Sequence, residues 1–214
     1  MNKNIFITGG TGYIGSRLIP VLIKNGFNIT ALVRNKSKSA FSSDCNIVEG
    51  NALNKDSYKN FLTSNNTFIH LIGVSHPGPG KKDEFKKIDL KSIEEAVNCA
   101  AEFGIKHFIY LSVAHPAPVM KEFIEVRIKG EEMLKASGLK CSFIRPWYVL
   151  GPGHYWPYLI MPFYGFFKLI PSTRETARRL GLVKLNQLLG SLLYAVNNPP
   201  DSVAVYNVED ILKF

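Results

Sequence analysis

Eight residues near the start of the chain, Thr8-Gly9-Gly10-Thr11-Gly12-Tyr13-Ile14-Gly15, have the types and spacing to hold a pyrophosphate. Glycines 10, 12 and 15 would serve three needs: a tight turn, close approach of backbone to phosphate, and tight packing of a helix on a strand. The phosphates would rest on a helix N-terminus, where unpaired N–H groups and the macrodipole favour negative charge. Arg34, nineteen residues beyond Gly15, extends the same chemistry. A carboxylate at about that distance binds the ribose 2′-hydroxyl of NAD, whereas an arginine accommodates the 2′-phosphate of NADP. No acidic residue precedes Asp44, and Ser37 and Lys38 follow Arg34 closely, so NADP(H) is expected over NAD(H). The other reading of Arg34 is a solvated loop charge.

The turn needs a strand before it and a helix after it. Asn4 to Thr8 has the length and β-branched content of a buried parallel strand, and Tyr13 to Asn25 repeats apolar residues at helical spacing. Further strands are expected at Asn28–Val33, Cys45–Glu49, Thr67–Gly73, His107–Leu111 and Lys140–Arg145. Helices are expected at Lys55–Thr63, at Glu84–Gly104 and at Glu122–Ser137, the second closed by glycine. Ser75 to Lys82, with two prolines and two glycines, is a loop: a flap over the site or a long surface connection. This alternation predicts an α/β fold, a doubly wound parallel sheet with helices on both faces. Residues 1–150 form its nucleotide-binding core, and 151–214 a cover packed on that core rather than an independent domain. Within the cover, a strand is expected at Arg179–Val183, a helix at Leu185–Val196 and a last strand at Ser202–Asn207.

Composition narrows the class. A chain of 214 residues with 46% hydrophobic content can bury a full core. The first residues lead directly into a strand without an export leader, and Cys45, Cys99 and Cys141 lack the paired spacing of a zinc site. A cytoplasmic protein with reduced thiols and no metal is expected. The formal charge of +9 invites a nucleic-acid partner, but residues 1 to 43 hold six basic and no acidic side chains, so two-thirds of the excess lies beside the glycine turn. That placement reads as an anion site first, and no nucleic-acid-binding motif accompanies it. Tyr155 to Pro171 carries a single charge, Lys168, and is dense in Trp, Tyr, Phe, Leu and Ile. Pro157 and Pro162 interrupt it, and a span needs about 20 apolar residues, so no transmembrane segment is expected. It reads as an apolar pocket cover, with core packing and a peripheral membrane or protein contact as the alternatives.

The spacing Thr8-Gly9-x-x-Gly12-x-x-Gly15 resembles the extended and atypical branches of the short-chain dehydrogenase/reductase family, the epimerase-like and NmrA-like members among them. The resemblance implies that Gly9 to Gly15, Leu71, Gly73 and Pro146 line a dinucleotide. It also implies that Gly50-Asn51-Ala52-Leu53 stands for the family's Gly-Asp-hydrophobic turn near the adenine, with Asn51 keeping a carbonyl but no charge. His70, inside the fourth strand, is expected to be buried and hydrogen-bonded rather than catalytic.

Glu131-Glu132-Met-Leu-x-x-Ser-Gly-Leu139 and Ile144-Arg145-Pro146 resemble the family's catalytic helix and the strand after it. In that register the family's Tyr-x-x-x-Lys falls on Phe123-Ile-Glu-Val-Arg127, and Ser112 falls on its serine. The family's tyrosine supplies a proton beside hydride transfer, which phenylalanine cannot do. Arg127 could still hold the nicotinamide ribose. The competing reading makes Phe123 core and Arg127 a solvated charge. A literal Tyr164-Gly-Phe-Phe-Lys168 lies outside the helix that the resemblance requires.

Two functions follow. One is an NADP(H)-dependent oxidoreductase on an apolar small molecule, with Tyr148, His115 or His154 as replacement acid, Arg127 on the ribose and Ser112 orienting the substrate oxygen. The other is a silent NADP(H) sensor or complex-stabilising subunit, favoured by the altered Phe123 and Arg127 positions.

Overall fold

The computed structural model describes residues 3–35, 41–62, 67–74, 78, 80–153, 175–176 and 178–214. The chain begins with strand β1 (Asn4–Thr8), helix α1 (Gly15–Lys24), β2 (Asn28–Val33), β3 (Cys45–Glu49) and β4 (Thr67–His70). Then come α2 (Lys82–Glu84), a π-helical turn (Phe85–Leu90), α3 (Lys91–Glu102), β5 (His107–Leu111), α4 (Lys121–Ala136) and β6 (Cys141–Ile144). The C-terminal part adds β7 (Tyr148–Leu150), β8 (Leu182–Lys184), α5 (Leu185–Asn197), β9 (Val203–Tyr206) and α6 (Val208–Ile211).

Seven strands form one sheet in the order β3-β2-β1-β4-β5-β6-β9, and every pairing is parallel. Strand order reverses between β1 and β4, the switch point outside which open α/β sheets bind ligands. This is the doubly wound sheet expected from the sequence. The alternation of side chains along each strand sorts the core by chemistry. Ile5, Ile7, Ile69, Ile109 and Ile144 face Leu18, Leu22, Leu188 and Leu192 of α1 and α5. Phe6, Phe68, Phe108 and Phe143 face the opposite layer, against Ile93, Val97 and Ala100 of α3 and Leu134 of α4. Phe68 stacks on Phe108 with centroids 4.9 Å apart, and Phe6 lies 5.2 Å from Phe68.

Four expectations are revised. Of the helix expected at 55–63, the described residues 55–62 form two 3-10 turns, Lys55–Ser57 and Lys59–Phe61, instead. Local side-chain bonds compete with it: Asn54 Oδ1 accepts from Asp56 N, and Ser57 Oγ donates to the carbonyls of Asn51 and Asn54. The long helix starts at Lys82 and contains the π-helical turn, which carries Asp89 fully into the interior. The strand expected at 179–183 is β8 at Leu182–Lys184, because Leu180 N bonds Thr176 O in a helical turn; β8 pairs with β7. Past residue 150, β9 pairs with β6 and completes the main sheet, so the C-terminal segment is part of the core as well as a neighbour to it. Half of the loop at 75–82 lies outside the described residues, as does the whole of Tyr155–Pro171 with its Tyr164-to-Lys168 motif.

Candidate functional site

The parallel register places the residues that follow β1, β4, β5 and β6 side by side, since Thr8 pairs with His70, His70 with Tyr110, and Leu111 with Ile144. The glycine turn is at one end of that row. Gly9 has φ +77° and approaches the backbone of Leu71 so closely that a Cβ would lie 2.8 Å from the Leu71 carbonyl carbon. The left-handed backbone of the turn is therefore carried by Gly9, just ahead of the three fingerprint glycines. Gly10 is buried against Ile19, and a Cβ on Gly15 would run into Gly9 O and lie 2.7 Å from Gly10 Cα. Gly12 N donates to Gly9 O at 3.0 Å, and Thr11 and Gly12 are exposed.

Tyr13 and Ile14 are half-buried; Arg17 donates to Tyr13 O at 2.9 Å, with its guanidinium 4.2 Å from the Tyr13 ring. The first turn of α1 contains no acidic residue, and Ser16 N and Leu18 N already donate to Gly12 O at 3.0 Å and Ile14 O at 2.9 Å. A backbone cradle that no side chain could enter, opening on a helix N-terminus, fits a pyrophosphate.

At the adenine side, Arg34 is exposed directly after β2, and Gly50 N donates to Val33 O at 3.0 Å. Asn51 is exposed and its Oδ1 accepts from Leu53 N at 3.0 Å, so the carbonyl kept in place of the family's carboxylate also braces this turn. Ala52 is half-buried against the aromatic core layer. Ser37 and Lys38 lie outside the described residues.

The other end of the row holds charge. Phe123, Arg127 and Glu131 are spaced by four on α4 and share one of its faces. Arg127 is 6% exposed, so the reading as a solvated charge does not hold. Its Nη2 donates to Asp89 Oδ1 at 2.6 Å and its Nη1 to Leu111 O at 3.0 Å. The guanidinium lies 5.1 Å from the Phe123 ring centroid and 5.6 Å from that of Tyr110. Its Nε is enclosed and has no partner among the described residues.

Gly73 permits this packing, because a Cβ there would overlap Arg127 Nη2. Asp89 also accepts from Val74 N at 2.9 Å. Burial pushes the Asp89 carboxyl up, opposed by the Arg127 charge and the Val74 N–H. Phe123 is half-buried and packs 5.3 Å from Phe85, beside Val74 and Val126.

Ser112 is buried and donates to Glu131 Oε1 at 2.6 Å. Arg145 grips the same carboxylate from Nε, at 2.8 Å, and from Nη2, and His115 Nε2 stands 3.8 Å from Oε1. Burial alone would raise the Glu131 carboxyl, but the His115 imidazole, Arg145 and the Ser112 hydroxyl hold it at about 2. Pro146 is buried and its carbonyl accepts from Ala114 N at 2.9 Å. Tyr148 opens β7, half-buried, 5.5 Å from the Trp147 ring, and burial raises its phenol. His154 lies outside the described residues.

His70 is fully buried, as its place in the strand suggested, between Thr8 Oγ1 at 2.9 Å and Ser92 Oγ at 3.3 Å. Sequence reasoning passed over Asp89, Glu131 and Arg145 as site residues. Glu131 was findable as the next i+4 member of the Phe123–Arg127 face, whereas Asp89 depends on a π-helical turn that periodicity does not signal.

Comparison with known proteins agrees with this geometry. The solved structure of Bordetella bronchiseptica WbmH in complex with NAD+ superposes with a TM-score of 0.71 at 19% identity, covering 96% of this chain and 75% of that one. The Arabidopsis thaliana divinyl chlorophyllide a 8-vinyl-reductase is 26% identical over 161 residues, 67% of this chain and 38% of that protein. The Cyanophora paradoxa photosystem II assembly factor Ycf39 is 24% identical over 145 residues, 66% of this chain and 44% of that protein. The chain thus matches less than half the length of either relative. No helix among the described residues is long and apolar enough to cross a membrane. The sequence profile of the NmrA-like family matches residues 1–161, three-quarters of the chain, and with the dinucleotide cradle in place this protein belongs to that NAD(P)-binding, short-chain dehydrogenase/reductase-like family.

Proposed function

We propose that this protein binds NADP(H) and reduces an apolar small molecule without the tyrosine–lysine pair. The observation that carries the reading is the juxtaposition on one edge of the sheet: a glycine cradle after β1, and Ser112, His115, Glu131 and Arg145 around the ends of β5 and β6. Bound dinucleotide would supply the hydride. Gly9 to Gly15 hold its pyrophosphate, Arg34 its 2′-phosphate, Asn51 and Ala52 border the adenine, and Leu71, Gly73 and Pro146 line the path to the nicotinamide.

Arg127 brings positive charge to that end, with its two Nη groups already bonded to Asp89 and Leu111. The exposed Arg34, with no acidic residue before Asp44, supports NADP over NAD. The half-buried Trp147 and Tyr148, ahead of the apolar stretch 155–171, support an apolar substrate. The name of the Arabidopsis relative, a vinyl reductase, points the same way. Three buried, unbridged cysteines suit a reducing compartment such as the cytoplasm.

Phe123 and the occupied Nη groups of Arg127 favour a second reading, a dinucleotide-binding subunit without turnover, and the name of Ycf39 as an assembly factor accords with it. The test is thermal unfolding with NADPH, NADP+, NADH and NAD+, followed by NADPH oxidation with apolar aldehydes. At a hundred times its dissociation constant a ligand adds about 2.7 kcal/mol, or roughly 5–10 °C for a chain this size. Selective stabilisation by the phosphorylated pair, weakened about 10- to 100-fold in Arg34→Ala, supports the site. Stabilisation with no oxidation by the wild type, but oxidation gained in Phe123→Tyr/Arg127→Lys, assigns the silent role. No stabilisation by any of the four refutes both readings.

A further inference from the structure

We propose that His115 is the proton donor of this site and that Glu131, tied to Ser112 and Arg145, is the residue that positions it. The inference rests on the reductase reading above. A hydride acceptor needs a proton, and the family positions for it cannot give one. Phe123 has none, the two Nη groups of Arg127 are bonded to Asp89 and Leu111, and the Ser112 hydroxyl is spent on Glu131.

His115 is three residues past Ser112, and its segment is pinned on both sides. Ser112 N donates to Ile144 O at 2.8 Å, Ala114 N to Pro146 O at 2.9 Å, and Arg179 Nε to Pro116 O at 3.1 Å. Nε2 is enclosed and faces Glu131 Oε1 at 3.8 Å, yet the side chain keeps a fifth of its surface exposed. The buried nitrogen thus lies beside, without hydrogen-bonding in this structure, a carboxylate that Arg145 holds in place, and the side chain stands just beyond the end of β5, in the row that carries the glycine turn. A histidine beside a fixed carboxylate has the chemistry of a general acid.

The step balances. Bound dinucleotide, held by Gly9 to Gly15, would supply a hydride with its electron pair to a carbonyl carbon of the substrate. The C=O π pair moves to oxygen, which takes the proton from His115, and His115 regains one from water. Each turnover oxidises one reduced dinucleotide, reduces one carbonyl to an alcohol and consumes one proton. The charged groups around the ring are Glu131, Arg145 behind it and Arg179 on the adjoining segment, with the Arg127–Asp89 pair next along the row.

Two measurements on the full chain test this. In the first, His115 modification by diethyl pyrocarbonate is followed by mass spectrometry with and without NADPH; binding should slow it at least fivefold. In the second, NADPH oxidation is measured with 4-nitrobenzaldehyde as probe. His115→Asn should lower kcat about 10²- to 10⁴-fold, with the NADPH dissociation constant changed less than twofold. Glu131→Gln should lower kcat with the NADPH dissociation constant unchanged, and Glu131→Asp should restore part of the rate, whereas a merely structural role would lower thermal stability without this split.

If NADPH does not stabilise the protein, the dinucleotide reading fails first and takes this proposal with it. If NADPH binds but leaves His115 unprotected, or if His115→Asn turns over at the wild-type rate, this proposal alone is overturned. Loss of the rate in Tyr148→Phe with none in His115→Asn overturns it in favour of the phenol. Tight binding with no turnover by the wild type overturns both the proposal and the reductase reading.

Discussion

Removing the Asp89 carboxylate is the sharpest test of how the Arg127 end of the site is built. Asp89 is fully buried and bonds Arg127 Nη2 and Val74 N, and no other carboxylate contacts Arg127 among the described residues. Asp89→Ala therefore leaves a buried guanidinium without its counter-charge, a loss of about 3–5 kcal/mol, and orphans the Val74 N–H at a further cost of about 1–3 kcal/mol. A domain of this class is stable by about 5–15 kcal/mol, so the variant should be marginal or partly unfolded at 25 °C.

The partner substitution separates charge from packing. Arg127→Met keeps an apolar stem against Phe123 and Tyr110, and in the Asp89→Ala/Arg127→Met double variant neither charge is left buried alone. The double variant should recover at least 2 kcal/mol relative to the sum of the single losses. Urea denaturation followed by circular dichroism gives the midpoints. Additive losses, or an Asp89→Ala loss below 1 kcal/mol with an unchanged slope, would mean that water reaches the guanidinium and that the pair is not buried.

Three other outcomes follow from the same geometry. Gly15→Ala should cost about 1–3 kcal/mol, at the upper end because its Cβ would meet the backbone of Gly9 and Gly10, and should abolish stabilisation by any dinucleotide; tight binding by this variant would contradict the cradle. Burial holds His70 at about 3 and His107 at about 4, below the ordinary 6.5, the Arg127 and Lys140 charges adding to it. The unfolded chain then binds two protons that the native protein refuses between about pH 4 and 6.5, so stability falls with falling pH by up to about 2.7 kcal/mol per unit. His107→Gln should halve that slope, and a urea midpoint flat across this window would refute it. Glu131 acts at lower pH: its depressed value, about 2 against an ordinary 4.5, gives about 3 kcal/mol that is present above pH 4.5 and lost as pH falls toward 2. Glu131→Gln should remove that acid limb in the same titration.

The sequence by itself determined the sheet and the dinucleotide end. Short β-branched runs divided by amphipathic segments read as parallel strands with helical crossovers, and Gly9, Gly10 and Gly15 let the following helix pack closely on the strand before it. Those signals are local, contained in a few consecutive residues. The same locality makes Arg34 the candidate for the proposed 2′-phosphate contact, because that reading depends only on a fixed distance from the turn.

Tertiary structure decided the other end. The pairing of Arg127 with Asp89, 38 residues away, and of Glu131 with Ser112 and Arg145 depends on which helix face meets which strand end. Burial then turned residues that composition treats as solvated charges into fixed ion pairs, since a charge taken out of water persists only beside its opposite. A π-helical turn, invisible to a 3.6-residue period, brought Asp89 inward, and β9 reached β6 across a long connection that no local pattern announces. What the glycines hold was written in consecutive residues; what faces it was set by the packing of α4 and the π-helical turn on the ends of β4, β5 and β6.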